Sequence, residues 1–130
     1  MKTILVDAVD AFVIEVEEDF KIFESMRKML DEFPNRKIIL TGANDEQFNE
    51  FRLDKMPYEV FTLKHSPEKT DPKYFETMLK HFNLGKEDVI YFEHNENAVK
   101  SAESVGIKSY HYDSEKKDLE LLKKFLTENL

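Results

Sequence analysis

The sequence contains no cysteine and no tryptophan, and only 3 glycines and 4 prolines. Without cysteine there is no disulfide, no thiolate zinc site and no thiol nucleophile. No apolar run approaches the ~20 residues of a membrane span, and the pattern of a secretory leader is missing. Basic charge is in deficit, with 19 Lys and Arg against 27 Asp and Glu and a net charge of −8. A nonspecific nucleic-acid binder or a binder of anionic membranes needs the opposite balance, so neither partner is expected. Internal repeats and low-complexity segments are also lacking. What remains is 130 residues, 41% hydrophobic and 35% charged. That composition suffices for one packed domain, expected to span 1–130 and to be cytoplasmic.

Short β-branched runs alternate with stretches at helical spacing. Thr3-Ile4-Leu5-Val6, ending in Asp7, reads as a strand buried on both faces. Phe12, Ile14 and Val16 recur every second residue and predict an extended or hairpin segment. From Phe20 the period changes, and Phe23, Met26, Leu30 and Phe33 predict a helix closed by Pro34. Lys37 to Leu40 is a second buried strand, ending in Thr41-Gly42. Asn44 with Gln47 three residues on predicts a capped helix. Tyr58 to Leu63 is a third strand. Asp71-Pro72 opens a helix that Gly85 is expected to end. Val89 to Phe92 is a fourth strand, ending in Glu93-His94, and Asn95 caps the helix that follows. Ile107 to Tyr112 is the fifth strand, and a last helix is expected from about Ser114. Strands separated by helices pair in parallel through right-handed crossovers. The expected architecture is a three-layer α/β/α sandwich with a Rossmann-like, parallel, five-stranded sheet.

In such a sheet, sites lie beyond the carboxyl ends of the strands. Asp7, Thr41, Glu93 and His94 all fall there, and Lys69 precedes the helix leading into the fourth strand. Singly, each has a plain structural role: an Asp caps turns, a Thr before Gly punctuates, a loop Lys is solvated. Together they form a candidate site at positions fixed independently by periodicity.

This set resembles the haloacid dehalogenase (HAD) superfamily over nearly the whole chain. Ile4-Leu5-Val6-Asp7 is similar to that family's first motif, a strand ending in a nucleophilic aspartate, and Ala11 to Glu18 to its hairpin flap. Ile38-Ile39-Leu40-Thr41 resembles the second motif, and Lys69-Thr70-Asp71-Pro72 the third. Val89 to Asn95, Asn97 and Val105-Gly106 follow the frame of the fourth. The resemblance implies a HAD-like core and a hydrolase or phosphatase that acts through an aspartyl intermediate on Asp7. It implies Thr41, Gly42 and Lys69 on the phosphoryl oxygens. A bound Mg²⁺ would draw on Asp7, the Val9 carbonyl, Glu93 and the position of His94.

Two positions depart from the family pattern. The acid/base aspartate expected two residues after Asp7 is Val9, with Asp10 one place later as the candidate substitute. A metal-binding aspartate is replaced by His94, whose imidazole suits a transition metal better than Mg²⁺. His65 and His111 stand at other strand ends. Neither the segment 8–19 nor the segment 42–68 has room for a cap domain, so the site is expected to be open. Two functions therefore stand side by side. One is a capless phosphatase acting on a phosphorylated substrate; the other is a catalytically inactive HAD-fold binding or regulatory protein with a protein partner. A receiver-type signalling domain has a similar size, but its strand-end residues do not match Thr62-Leu63-Lys64-His65, Glu93-His94 or His111-Tyr112.

Overall fold

The computed structural model describes residues 1–130. Five strands form the central sheet: β1 (Thr3–Asp7), β4 (Lys37–Thr41), β5 (Glu59–Thr62), β6 (Val89–Glu93) and β7 (Lys108–His111). All neighbours are parallel, in the order β5-β4-β1-β6-β7. A separate antiparallel hairpin, β2 (Val13–Val16) and β3 (Asp19–Ile22), follows β1. The helices are α1 (Glu24–Asp31), α2 (Asp45–Glu50), α3 (Pro72–Phe82), α4 (Glu96–Ser104) and α5 (Leu119–Asn129). The predicted three-layer α/β/α arrangement is observed, without a cap domain.

The pleat divides the core in two. Ile4, Val6, Ile39, Ile90 and Phe92 meet Met26 and Leu30 of α1 and Leu122 and Leu126 of α5. Leu5, Ile38, Leu40, Val89 and Tyr91 meet Tyr74, Phe75 and Met78 of α3 and Ala102 of α4. Asp7 and Glu93 share the pleat parity of Leu5 and Tyr91, so both carboxylates lean towards the α3 and α4 side. Because β4 and β6 flank β1 on opposite sides, the crevice at its carboxyl end is a topological switch point.

Local chemistry sets the element ends. Asn44 and Gln47 form the expected capping box, each side chain bonded to the other's main-chain N–H. Asp71 caps α3 with Pro72 behind it, and Asn95 caps α4. Three boundaries differ from the sequence reading. Phe20 and Ile22 belong to β3, because a two-residue turn at Glu17-Glu18 folds that segment back and delays α1 to Glu24. Helix α3 ends at Asn83, whose φ of 55° provides the left-handed exit before Gly85 is reached. Helix α5 starts at Leu119 instead of near Ser114, because the Asp113 carboxylate accepts from the N–H groups of Glu115 and Lys116. That turn closes before Asp118 takes over as cap.

Glu17 (φ 52°) and Glu18 (φ 66°) are both left-handed, as a tight hairpin turn demands but glutamate disfavours. Replacing this pair by Asn-Gly is expected to stabilise the protein by about 1 kcal/mol. Thermal unfolding of the double variant checks it; a lowered midpoint would contradict it.

Candidate functional site

Asp7, Thr41, Gly42, Lys69, Glu93 and His94 line one pocket at the carboxyl ends of β1, β4 and β6. Ala8, Val9, Gln47, His65 and Glu68 also line it. Asp7, Thr41 and Glu93 are buried, while His94 is partly exposed.

Lys69 lies in the loop before α3 and reaches down between the strand ends. Its Nζ donates to Asp7 Oδ1 at 2.8 Å, to Glu93 Oε1 at 2.6 Å and to the Leu40 carbonyl at 3.3 Å. An ammonium has three protons, and all three are engaged. The other Asp7 oxygen, Oδ2, accepts from the main-chain N–H of His94 at 3.1 Å and lies 2.5 Å from His94 Nδ1. That same nitrogen is 3.2 Å from Glu93 Oε2. Glu93 accepts further bonds from the Tyr91 hydroxyl and, at 3.0 Å, from the Asn95 N–H. Two anions, Asp7 and Glu93, are thus interleaved with two cations, Lys69 and His94.

The charges hold one another in place. Burial opposes ionisation of Glu93, but Lys69 and the hydrogen bonds from its neighbours outweigh it and hold its carboxyl far below the usual range. Burial also opposes the Lys69 charge, yet Asp7 and Glu93 push its pKa up. Hydrogen bonds to Asp7 and then Glu93 raise His94 to about 10, against the cost of burial. Asp7 is pushed upward by burial and by Glu93, with Lys69 and His94 pulling the other way. Asp7 and His94, in short contact, thus both hold a proton more tightly than they would in water.

Thr41 Oγ1 accepts from the Ala43 N–H at 3.1 Å, which leaves its hydroxyl proton for a ligand. Val9 stands at the pocket wall, where it offers no side-chain donor. Asp10 has a φ of 71°, and this left-handed turn re-aims its carboxylate. Its Oδ2 comes within 3.7 Å of His94 Nε2, on the far side of the ring from Asp7. His65 joins the rim through Glu68 and Gln47, and His111 Nε2 approaches the His94 carbonyl at 2.9 Å. Only Asp7, Glu93 and His94 bring metal-type ligand atoms together, all within 4.8 Å of one another.

Two tyrosines join the cluster unannounced by any motif. Tyr91 lies two residues before Glu93 on one strand, so strand periodicity alone places both on one face. Tyr74 donates to the Thr41 carbonyl at 2.7 Å from within α3, a contact between distant segments that no local pattern announces.

No protein-family model and no curated protein matches the sequence. The resemblance lies in three dimensions. A HAD family enzyme from Bacteroides thetaiotaomicron, an aspartate-to-alanine mutant in complex with magnesium and inorganic phosphate, superposes with a TM-score of 0.73 at 10% identity, over 93% of this chain and 98% of that one. The fold is that of the HAD superfamily. A HAD-superfamily hydrolase from Geobacter sulfurreducens gives 0.66 at 12% identity, over 86% and 89% of the two chains. A haloacid dehalogenase-like protein of unknown function from Agrobacterium tumefaciens gives 0.61 at 14% identity, covering 84% of this chain and 63% of its own. These superpositions show a shared fold across most of this chain. No helix is long and apolar enough to cross a membrane.

Proposed function

We propose that this HAD-like protein binds a phosphorylated ligand at the β1 crevice and does not hydrolyse it through Asp7. The observation that carries this reading is the occupancy of the Asp7 carboxylate, with Lys69 on one oxygen and His94 on the other. An attacking carboxylate needs a lone pair free to reach phosphorus and a partner that neutralises the phosphoryl group. Here Oδ2 carries two contacts from His94, Oδ1 is drawn towards Lys69, and no proton on Lys69 is left for a phosphoryl oxygen.

Proton transfer points the same way. Val9 replaces the expected acid, and the Asp10 carboxylate stands 3.7 Å from His94 Nε2 and outside the residues that line the pocket. Binding requires less. The Thr41 hydroxyl and the main chain at Gly42 offer hydrogen bonds to phosphoryl oxygens, and the interleaved cations remove the repulsion that bare Asp7 and Glu93 would exert. The magnesium and phosphate held by the Bacteroides enzyme make a phosphate ester the natural first ligand to try.

Incubation with aryl phosphates and a phosphometabolite panel, with Mg²⁺, Mn²⁺ or Zn²⁺, is expected to release no more phosphate than the Asp7→Asn variant. The same panel in a thermal-shift assay is expected to yield a stabilising ligand, with the shift lost in Thr41→Val. Phosphate release abolished by Asp7→Asn would restore the hydrolase reading. A panel without any stabilising ligand would remove the binding one.

A further inference from the structure

We infer that the His94 side chain takes the place of a divalent cation in this pocket, so that the site works without a metal. The ligand it serves rests on the binding reading above; the displacement of metal does not.

Three carboxylates surround one imidazole. Nδ1 lies 2.5 Å from Asp7 Oδ2 and 3.2 Å from Glu93 Oε2, and Nε2 lies 3.7 Å from Asp10 Oδ2. Anions arranged around a common centre are what a cation site requires, and here the centre is a side chain. The spacing separates this from a metal site. Ligand atoms on an octahedral Mg²⁺ stand ~2.9 Å apart, and those on a tetrahedral Zn²⁺ ~3.3 Å apart, given the usual bond lengths. The Glu93–His94 distance matches the zinc spacing, but the Asp7–His94 pair is closer than either, so as they stand these two atoms are hydrogen-bond partners and not two ligands of one metal.

The remaining oxygens are also committed. Glu93 Oε1 takes Lys69 and Tyr91, and Oε2 takes the Asn95 N–H. Asp7 Oδ2 takes the His94 main-chain N–H as well. Apart from the exposed Asp10 carboxylate and water, a hard cation that prefers six oxygens would find its ligands here only by breaking this network. His94 is held from behind, too, since its carbonyl contacts the His111 ring at 2.9 Å and its neighbour Asn95 caps α4. The ring therefore fills the gap between the carboxylates as part of the fold.

Manganese binding to the intact protein, followed by electron paramagnetic resonance and by calorimetry with Mg²⁺ and Zn²⁺, tests this directly. The wild-type protein is expected to show no saturable site at millimolar metal. His94→Asp returns a hard oxygen ligand and removes the ring, and is expected to gain one Mn²⁺ per chain, bound at least tenfold more tightly than by wild type. One Mn²⁺ or Zn²⁺ per wild-type chain at submillimolar concentration, lost in Asp7→Asn, would overturn the inference. A His94→Asp protein that is folded by circular dichroism yet gains no metal would overturn it as well. If that variant does not fold, the wild-type titration decides alone. Metal-independent phosphate release would refute the binding reading and leave this inference standing; metal binding without turnover would do the reverse.

Discussion

Lys69→Met is expected to destabilise the protein more than any other single substitution in the pocket, by about 3–5 kcal/mol. Methionine keeps much of the lysine's length and apolar contact, so the loss isolates the charge. Asp7 and Glu93 are 1% and 0% exposed. Both depend on Lys69, which donates to each of them. Removing it leaves His94 as the one side-chain cation between two buried carboxylates. At this chain length the cost corresponds to a fall in melting temperature of roughly 10–20 °C. The sign with pH follows from the same charges. Without Lys69 the pair relieves itself by taking up a proton, which raises a carboxyl pKa in the folded state above its unfolded value. The penalty is then largest above the ordinary carboxylate range and shrinks as pH falls towards about 4. Unfolding curves of wild type and Lys69→Met at pH values from about 4 to 8 measure it. A loss below about 1 kcal/mol, or one independent of pH, would show that the pair does not need its cation.

A decline of stability with rising pH, carried by His94, is the second large effect. In the folded protein its pKa is raised from 6.5 to about 10, first by the hydrogen bond with Asp7 and then by that with Glu93. A base raised on folding contributes its full stabilisation below the unfolded value and loses it as pH rises through the folded one. The window is therefore from near pH 6.5 to about pH 10. Within it the slope approaches at most about 1.4 kcal/mol per pH unit, the limit for one proton. The side chain is 29% exposed, so solvent screening reduces that slope. Lys69, Tyr74 and Tyr91 are all pushed upward, while Asp7, also raised, adds a decline of the same sign from the acid side. Urea unfolding across this range should show the decline in wild type and a flatter profile in His94→Gln. Ring nitrogen chemical shifts provide the direct check, and a His94 that titrates near its ordinary value would contradict the charge arrangement in the pocket.

Much of the scaffold was legible because its signals are local. The continuous apolar runs at Ile4 to Val6, Ile38 to Leu40 and Val89 to Phe92 could only be buried strands. Asn44, Asp71 and Asn95 marked helix starts by side-chain chemistry that acts within three residues. The hairpin was visible in Phe12, Ile14 and Val16, but its far strand was not, because Phe20 and Ile22 also suit a helical face. The turn at Glu17-Glu18 decides between the two, and glutamate is not a residue that announces such a turn. Similarly, Asn83 ended α3 before the expected glycine, since asparagine also tolerates the left-handed conformation.

By itself the sequence determined which residue types stand at the strand ends: an aspartate after β1, a threonine after β4, a glutamate and a histidine after β6, and a lysine before α3. It also determined that Val9 brings no acid to the pocket. Only the tertiary structure decided how these groups divide the space among them. Lys69 meets Asp7 and Glu93 across 62 and 24 residues of chain, and His94 turns its ring nitrogen to an aspartate 87 positions away. Sequence order carries no term for such distances. They are fixed when parallel pairing sets β1 between β4 and β6, and burial then leaves the two carboxylates to the two cations and the few N–H and hydroxyl donors that reach them.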